Sequence, residues 1–236
     1  MIAIICSTWD EIKEIKASLS KTEEGEVEGI RYISGRLSEK PVLLGITGVG
    51  IKKSRKGTRF IIERFKPNLI ISAGFGGALS PSFKIGDIVI GEWVLSLKKN
   101  EKRNLFSDVP NCGYDFKKGG ILTENRFIFN PREKKKLFED TGALVVDMET
   151  WSVTEAAFER GVKVLSVRSI SDEYSETLPD MGSIYNSTGV LDKKKALTYF
   201  VSHPLHILPY IRYMTFNSKK SSDSLCRFLR KITPLL

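Results

Sequence analysis

Apolar residues along this chain fall into short β-branched runs, separated by stretches in which they recur every three or four positions. The run "IAIICS" predicts a strand. "WDEIKEIKASL" behind it predicts a helix through Ile12, Ile15 and Leu19, with Ser7 or Thr8 as its cap. "VEGIRYISGRL" and "PVLLGITGVG" predict neighbouring strands, and "KKSRKGTRFIIERF" a helix closed off by Pro67. "NLIISAGFGGAL" predicts a buried strand running into a glycine-rich turn, and "GDIVIGEWVLSL" a strand with a bend at Gly91. Residues 98–120, polar with Pro and Gly, predict a long loop. "GGILTEN" and "ALVVDMET" predict strands, and "PREKKKLFEDTG" between them a helix with Gly142 beyond its end. "WSVTEAAFERG" predicts a helix and "VKVLSVRSISDEY" the last strand. Two-sided apolar strands alternating with helices define an α/β class with a largely parallel or mixed sheet.

In such sheets ligands bind where strands end and loops begin. Four features collect at those positions: Glu11, the turn from Gly74 to Leu79, the pair Asp147 and Glu149, and Asp172. Each also has an ordinary structural reading. Glu11 fits a solvated helix face, Glu149 suits the positive end of a helix dipole, and Asp172 suits a helix N-cap. "GFGGAL" lacks the spacing of a dinucleotide or P-loop fingerprint, so a tight turn using glycine dihedrals competes with a phosphate cradle.

Composition narrows the classes. At 41% hydrophobic and 28% charged residues the chain is an ordinary globular one. Its apolar runs are too short and interrupted to cross a membrane, and its start reads as a strand and not as a secretion signal. Cys6, Cys112 and Cys226 have neither metal nor disulfide spacing, which predicts a reducing cytoplasm. The two histidines, His203 and His206, stand late and beside prolines, which argues against a histidine-based hydrolase or metal site. No metal and no cofactor are expected. The net charge of +9 comes mostly from residue 192 onward, where nine bases face two acids, so a nucleic-acid-binding core is not implied.

The order "TGVG", "FKPNLIISAGFGGALSPSFKIGDIVIG", "VVDMET", "VLSVRSISD" resembles the nucleoside phosphorylase/nucleosidase superfamily over residues 2 to about 175. That resemblance implies a three-layer α/β sandwich around a twisted mixed sheet that partly closes like a barrel, and cleavage of a nucleoside's N-glycosidic bond by water or phosphate. It implies that Glu149 holds the ribose hydroxyls and that Met148 packs under the sugar. It makes Asp172 the group that bonds or protonates the purine at N7, and Glu11 the acid that orients water in the methylthioadenosine/adenosylhomocysteine nucleosidase branch. Phe127 falls where that branch stacks an aromatic on the base, and Gly74, Phe75 and Gly76 line the site. The chemistry is coherent: a protonated purine leaves as a neutral group, and carboxylates offset the charge that develops on the sugar.

Phosphorylases of the superfamily place an arginine just ahead of the glycine turn and a Ser/Thr within it. Here those places hold Ser72 and Phe75, so hydrolysis is expected; Arg55 and Arg31 are the cations that would reopen phosphorolysis. After residue 191 the chain continues as a basic, aromatic extension (192–236), beyond the catalytic domain of residues 1–191. "YIRYMTF" and "SLCRFLRKI" carry helical spacing that fits either a membrane surface or packing on the domain itself. The pattern "VVDMET … VRSISDEYSETLPD … HPLHILPYIRYM" also resembles the hopanoid-associated branch, which implies a lipid-linked nucleoside such as adenosylhopane as substrate and peripheral membrane contact. A small adenine nucleoside, and a non-catalytic purine-binding module, are the competing readings; Glu11, Glu149 and Asp172 together argue against the second. The resemblance further implies a homo-oligomer, most simply a dimer.

Overall fold

The computed structural model describes residues 1–184 and 192–236. Ten strands among them form one mixed sheet. Strand β1 (Ile2–Cys6) lies parallel between β4 (Lys40–Ile46) and β5 (Leu69–Ala78). β3 (Ile30–Leu37) and β2 (Ser20–Val27) extend that side in antiparallel fashion. On the other side β5 pairs with both β10 (Lys163–Asp172) and β9 (Val145–Asp147). β10 pairs with β6 (Ile88–Ser96), β6 with β8 (Lys117–Thr123), and β8 with β9. The path from β5 through β10, β6, β8 and β9 returns to β5, so this half of the sheet closes on itself. The ladder between β6 and β8 shifts register between Gly91 and Trp93, the bend the sequence predicts.

The side chains of β1 alternate, and each face has its own helices. Ile2, Ile4 and Cys6 meet Ile12 and Ile15 of α1 (Trp9–Ala17) and Leu225, Phe228 and Leu229 of α8 (Ser218–Ile232). Ala3 and Ile5 meet Ile61 of α2 (Ile51–Phe65) and Val153 and Ala157 of α4 (Thr150–Phe158). This is the expected three-layer α/β arrangement. A further helix, α3 (Pro131–Thr141), is capped by Asn130, whose side chain accepts from the Arg132 N–H at 2.9 Å, and ends at Gly142 with φ 67°.

Three expectations change. The helix through Leu19 stops at Ala17, and β2 follows; its sequence SKTEEGEV is almost wholly exposed, so no apolar alternation announced it. The long loop at 98–120 contains β7 (Glu101–Asn104), paired with β6, and the first residues of β8. The glycine-rich turn is not a turn: Gly74, Gly76 and Gly77 lie inside β5, none with positive φ. Close approach explains them. A Cβ on Gly74 would lie 2.8 Å from Glu11 Oε1, and one on Gly76 2.4 Å from Val145 Cγ1.

The basic extension divides in two. α8 is buried against α1 and β10 and completes the main core, whereas α6 (Lys193–Ser202) and α7 (Ile207–Arg212) lie on the surface. The expected boundary at residue 191 falls on 185–191, outside the described residues. A short helix, α5 (Met181–Ile184), precedes them. No helix among the described residues is long and apolar enough to cross a membrane.

Truncating Phe228 to alanine is expected to cost about 3–5 kcal/mol, the usual penalty for a buried aromatic. Leu208→Ser, at a 74% exposed position, is expected to cost less than about 0.5 kcal/mol. Urea denaturation of the two variants measures the difference.

Candidate active site

The carboxyl ends of β1, β5, β9 and β10 converge, and each delivers one part of the site. Glu11 comes first. It stands at the third position of α1, where a glutamate can reach back to the helix start. Its Oε2 accepts the backbone N–H groups of Ser7 and Thr8, each at 2.9 Å, and its Oε1 accepts that of Phe75 at 3.0 Å. The carboxylate is buried, so the solvated-face reading does not hold. Desolvation raises its pKa; the N–H bonds from Thr8, Phe75 and Ser7 and the charge of Arg168 oppose the shift without cancelling it.

Glu149 follows β9 at the N-terminus of α4, but its side chain does not cap that helix. Oε1 instead accepts from the Gly50 N–H at 2.7 Å, tying α4 to the loop before α2. Its pKa rises to about 7, first through desolvation and then through the negative charges of Asp147 and Glu11. Met148 beside it is half-buried. A hollow of about 10 Å³ lies against Glu149, lined also by Ser7, Thr47, Ser72 and Arg168; its size is that of one water molecule.

Asp172 ends β10 and caps no helix. Its Oδ1 accepts from Ser171 Oγ at 2.8 Å and its Oδ2 from Lys134 Nζ at 2.5 Å. β5 runs past it so closely that a Cβ on Gly77 would sit 2.8 Å from Oδ2. One strand segment, Gly74 to Gly77, therefore touches Glu11 at one end and Asp172 at the other, and it includes the half-buried Phe75. Phe127, in the loop after β8, is half-buried and packs edge-on against Tyr213, with centroids 6.1 Å apart.

Two site residues escaped the sequence reading. Arg168 is fully buried within β10. Its Nε donates to Asp147 Oδ2 at 2.7 Å, Nη1 to the Ser72 and Val167 carbonyls, and Nη2 to Ser72 Oγ and Thr150 Oγ1. Asp147, left without a catalytic role, proves to be the counter-ion of this arginine and also binds Thr123 and Thr150. Lys134 is the other, fully buried on α3. Arginine within the apolar run "VLSVRSIS" was the available signal for the first; "REKKK" reads as a solvated helix and hid the second. Arg55 is paired with Glu155 and Glu159, and Arg31 stands 5.9 Å from the ring of Trp9.

The sequence profile of the phosphorylase superfamily matches residues 1–110 and 98–195. The chain belongs to this superfamily. A 5′-methylthioadenosine/S-adenosylhomocysteine nucleosidase of Listeria monocytogenes is 27% identical over 205 residues, covering 72% of this chain and 85% of the relative. One from Staphylococcus haemolyticus is 26% identical over 198 residues, covering 73% and 86%. Among solved structures, the nucleosidase of Neisseria meningitidis in complex with methylthio-immucillin-A superposes with a TM-score of 0.76 at 15% identity, covering 100% of this chain and 99% of that one. The futalosine hydrolase of Helicobacter pylori does so with a TM-score of 0.75 at 18% identity, covering 100% and 97%. At these identities the structural likeness establishes the superfamily fold.

Because Glu149 binds its proton more tightly when folded, the native state holds more protons than the unfolded chain between the ordinary carboxyl value and about pH 7. This group's contribution therefore makes stability fall as pH rises through that window. Relative to Glu149→Gln, the wild type is expected to lose stability between pH 5 and 8 by at most ~3 kcal/mol, less where solvent at the mouth screens the charge. Denaturant titrations of both proteins across that range measure it; parallel curves would contradict the raised pKa.

Proposed function

We propose that this protein hydrolyses the N-glycosidic bond of an adenine nucleoside. The observation that carries the reading is the run of β5 from Gly74 to Gly77, which has two buried carboxyl groups, Glu11 and Asp172, against its two ends, with the raised-pKa Glu149 nearby. In this reading Asp172 protonates N7, so the base leaves neutral. Glu11 orients a water and takes its proton as it adds to C1′, and Glu149 accepts the ribose hydroxyls. Met148 lies under the sugar, while Phe75 and Phe127 flank the base. Burial raises the Glu11 pKa, which makes it a stronger base than an ordinary carboxylate. The nucleosidase relatives support the adenine nucleoside.

Hydrolysis is favoured over phosphorolysis by the state of Arg168. A guanidinium has five N–H donors, and all of them are spent on Asp147, Ser72, Val167 and Thr150. A phosphate dianion would find no free donor on it, and Asp147 already neutralises its charge.

The 5′ substituent in this proposal is large and apolar, as in adenosylhopane, and the enzyme works at the cytoplasmic membrane surface. Support comes from α6, α7 and the turn that follows, where Leu197, Val201, Leu205, Leu208, Ile211 and Phe216 are all exposed. This surface adjoins the site, because Tyr213 packs on Phe127 and Asn217 Nδ2 donates to Glu176 in the loop after Asp172. Lys193, Lys194 and Lys195 open α6, Arg212 ends α7, and Lys219 and Lys220 follow in the sequence. Against a second copy of itself such a face would meet like charge; against anionic headgroups it meets opposite charge. In the proposed homodimer, α6 and α7 thus stay outside the contact between subunits.

Adenine release from a panel of nucleosides in phosphate-free buffer tests the reaction. Glu11→Gln and Asp172→Asn are each expected to cut kcat by about 10²-fold or more. Strict phosphate dependence would refute hydrolysis, and near-wild-type rates in either variant would remove its assigned role. Co-sedimentation with anionic phospholipid vesicles tests the surface: the double variant Leu205→Ser/Leu208→Ser is expected to bind at least about tenfold more weakly. Equal binding of wild type and variant would defeat the membrane contact.

A further inference from the structure

Lys134 has no part in the reaction described above. It is completely buried on α3, and its Nζ donates to Asp172 Oδ2 at 2.5 Å and to the Glu173 carbonyl at 2.8 Å. Lysine is among the residues least often fully buried, and taking an ammonium out of water is costly even when it is paired. An apolar side chain of similar length would hold α3 in place without that penalty. Among the described residues Lys134 is the one ion-pair partner of Asp172, and the nearby Glu173 carboxylate turns away to Lys84. The buried charge is thus aimed at the one carboxylate read as the acid.

We propose that Lys134 is a positioning residue that stores the proton Asp172 delivers to the base. This rests on the nucleosidase reading above. As the bond from C1′ to the purine breaks, its electron pair passes to the ring. The ion-paired Asp172 carboxylate takes a proton from the Lys134 ammonium and passes it to N7, so the lysine is left as a neutral amine and Asp172 ends as the carboxylate it began as. The water that adds to C1′ gives a proton to Glu11. One proton leaves the Lys134–Asp172 pair and one arrives on Glu11, so the protein's total is unchanged, and solvent returns both groups to their starting states before the next turnover. Arginine could not take this role, because its guanidinium stays charged.

The test compares two leaving groups on the same sugar: adenine, which must be protonated, and 4-nitrophenolate, which leaves without a proton. Wild type, D172N, K134M and K134R are assayed on both, with thermal melting to confirm folding. K134M is expected to lose about 10²-fold in kcat for adenine release and to change 4-nitrophenolate release by less than about threefold. K134R, which keeps the ion pair but cannot surrender the proton, is expected to show the same selective loss, and it carries the test if K134M does not fold. Equal slowing of both substrates, no slowing of either, or rescue of adenine release by K134R would overturn the proposal. D172N separates the two levels. If D172N is selective and the Lys134 variants are not, the lysine's role alone falls; if D172N is itself unselective, the acid assignment falls with it.

Discussion

A buried guanidinium with five N–H groups needs five acceptors, and the fold supplies them from four elements. Arg168 on β10 reaches Ser72 on β5, Asp147 at the end of β9, Thr150 at the start of α4, and its own strand at Val167. Leaving any of these oxygens or donors unpaired in a fully buried site would cost more than a hydrogen bond ordinarily contributes. The closure of β5 onto both β9 and β10 is what brings the acceptors within reach. That constraint also places the candidate carboxylates. Glu149 is two residues from Asp147 and Asp172 four from Arg168, so pinning the arginine pins both acids.

The floor built this way carries Glu11, which is buried, and Glu149, which keeps some contact with solvent. Burial pushes Glu11 and Glu149 upward, and Arg168 restrains both shifts without removing them. Because Asp147 is held by direct contact with the guanidinium, the arginine contributes order and a partial counter-charge in place of an open cation site. Glycines complete the arrangement sterically: Gly74 and Gly77 let backbone touch carboxylate at Glu11 and Asp172, a contact that any Cβ would block.

The periphery follows a different physics. α8 buries Leu225, Phe228, Leu229 and Ile232 against α1 and the sheet, so the last helix is core. α6 and α7 keep large apolar side chains in solvent. Tyr199 fastens this hairpin inward, its hydroxyl accepting from the Asp180 N–H at 3.1 Å and bonding His206 Nδ1 at 2.7 Å. The apolar face therefore has a defined position next to the loop that follows Asp172.

Apolar periodicity by itself determined most of the strands and helices here, because burial on one or both faces leaves a period of two, a continuous run, or a helical repeat in the residues. It was silent on β2 and β7, which lie at sheet margins and bury little, and it gave "SLCRFLRKI" no way to distinguish a protein core from a lipid surface. The motifs "DMET" and "SISD" made Glu149 and Asp172 legible as candidates, but their surroundings were not. Asp147 as the partner of Arg168, Lys134 behind Asp172, and the steric need for Gly74 and Gly77 are all contacts between residues distant in the chain. Local pattern records which side chains prefer to be buried; which buried charge meets which was decided only when the sheet closed.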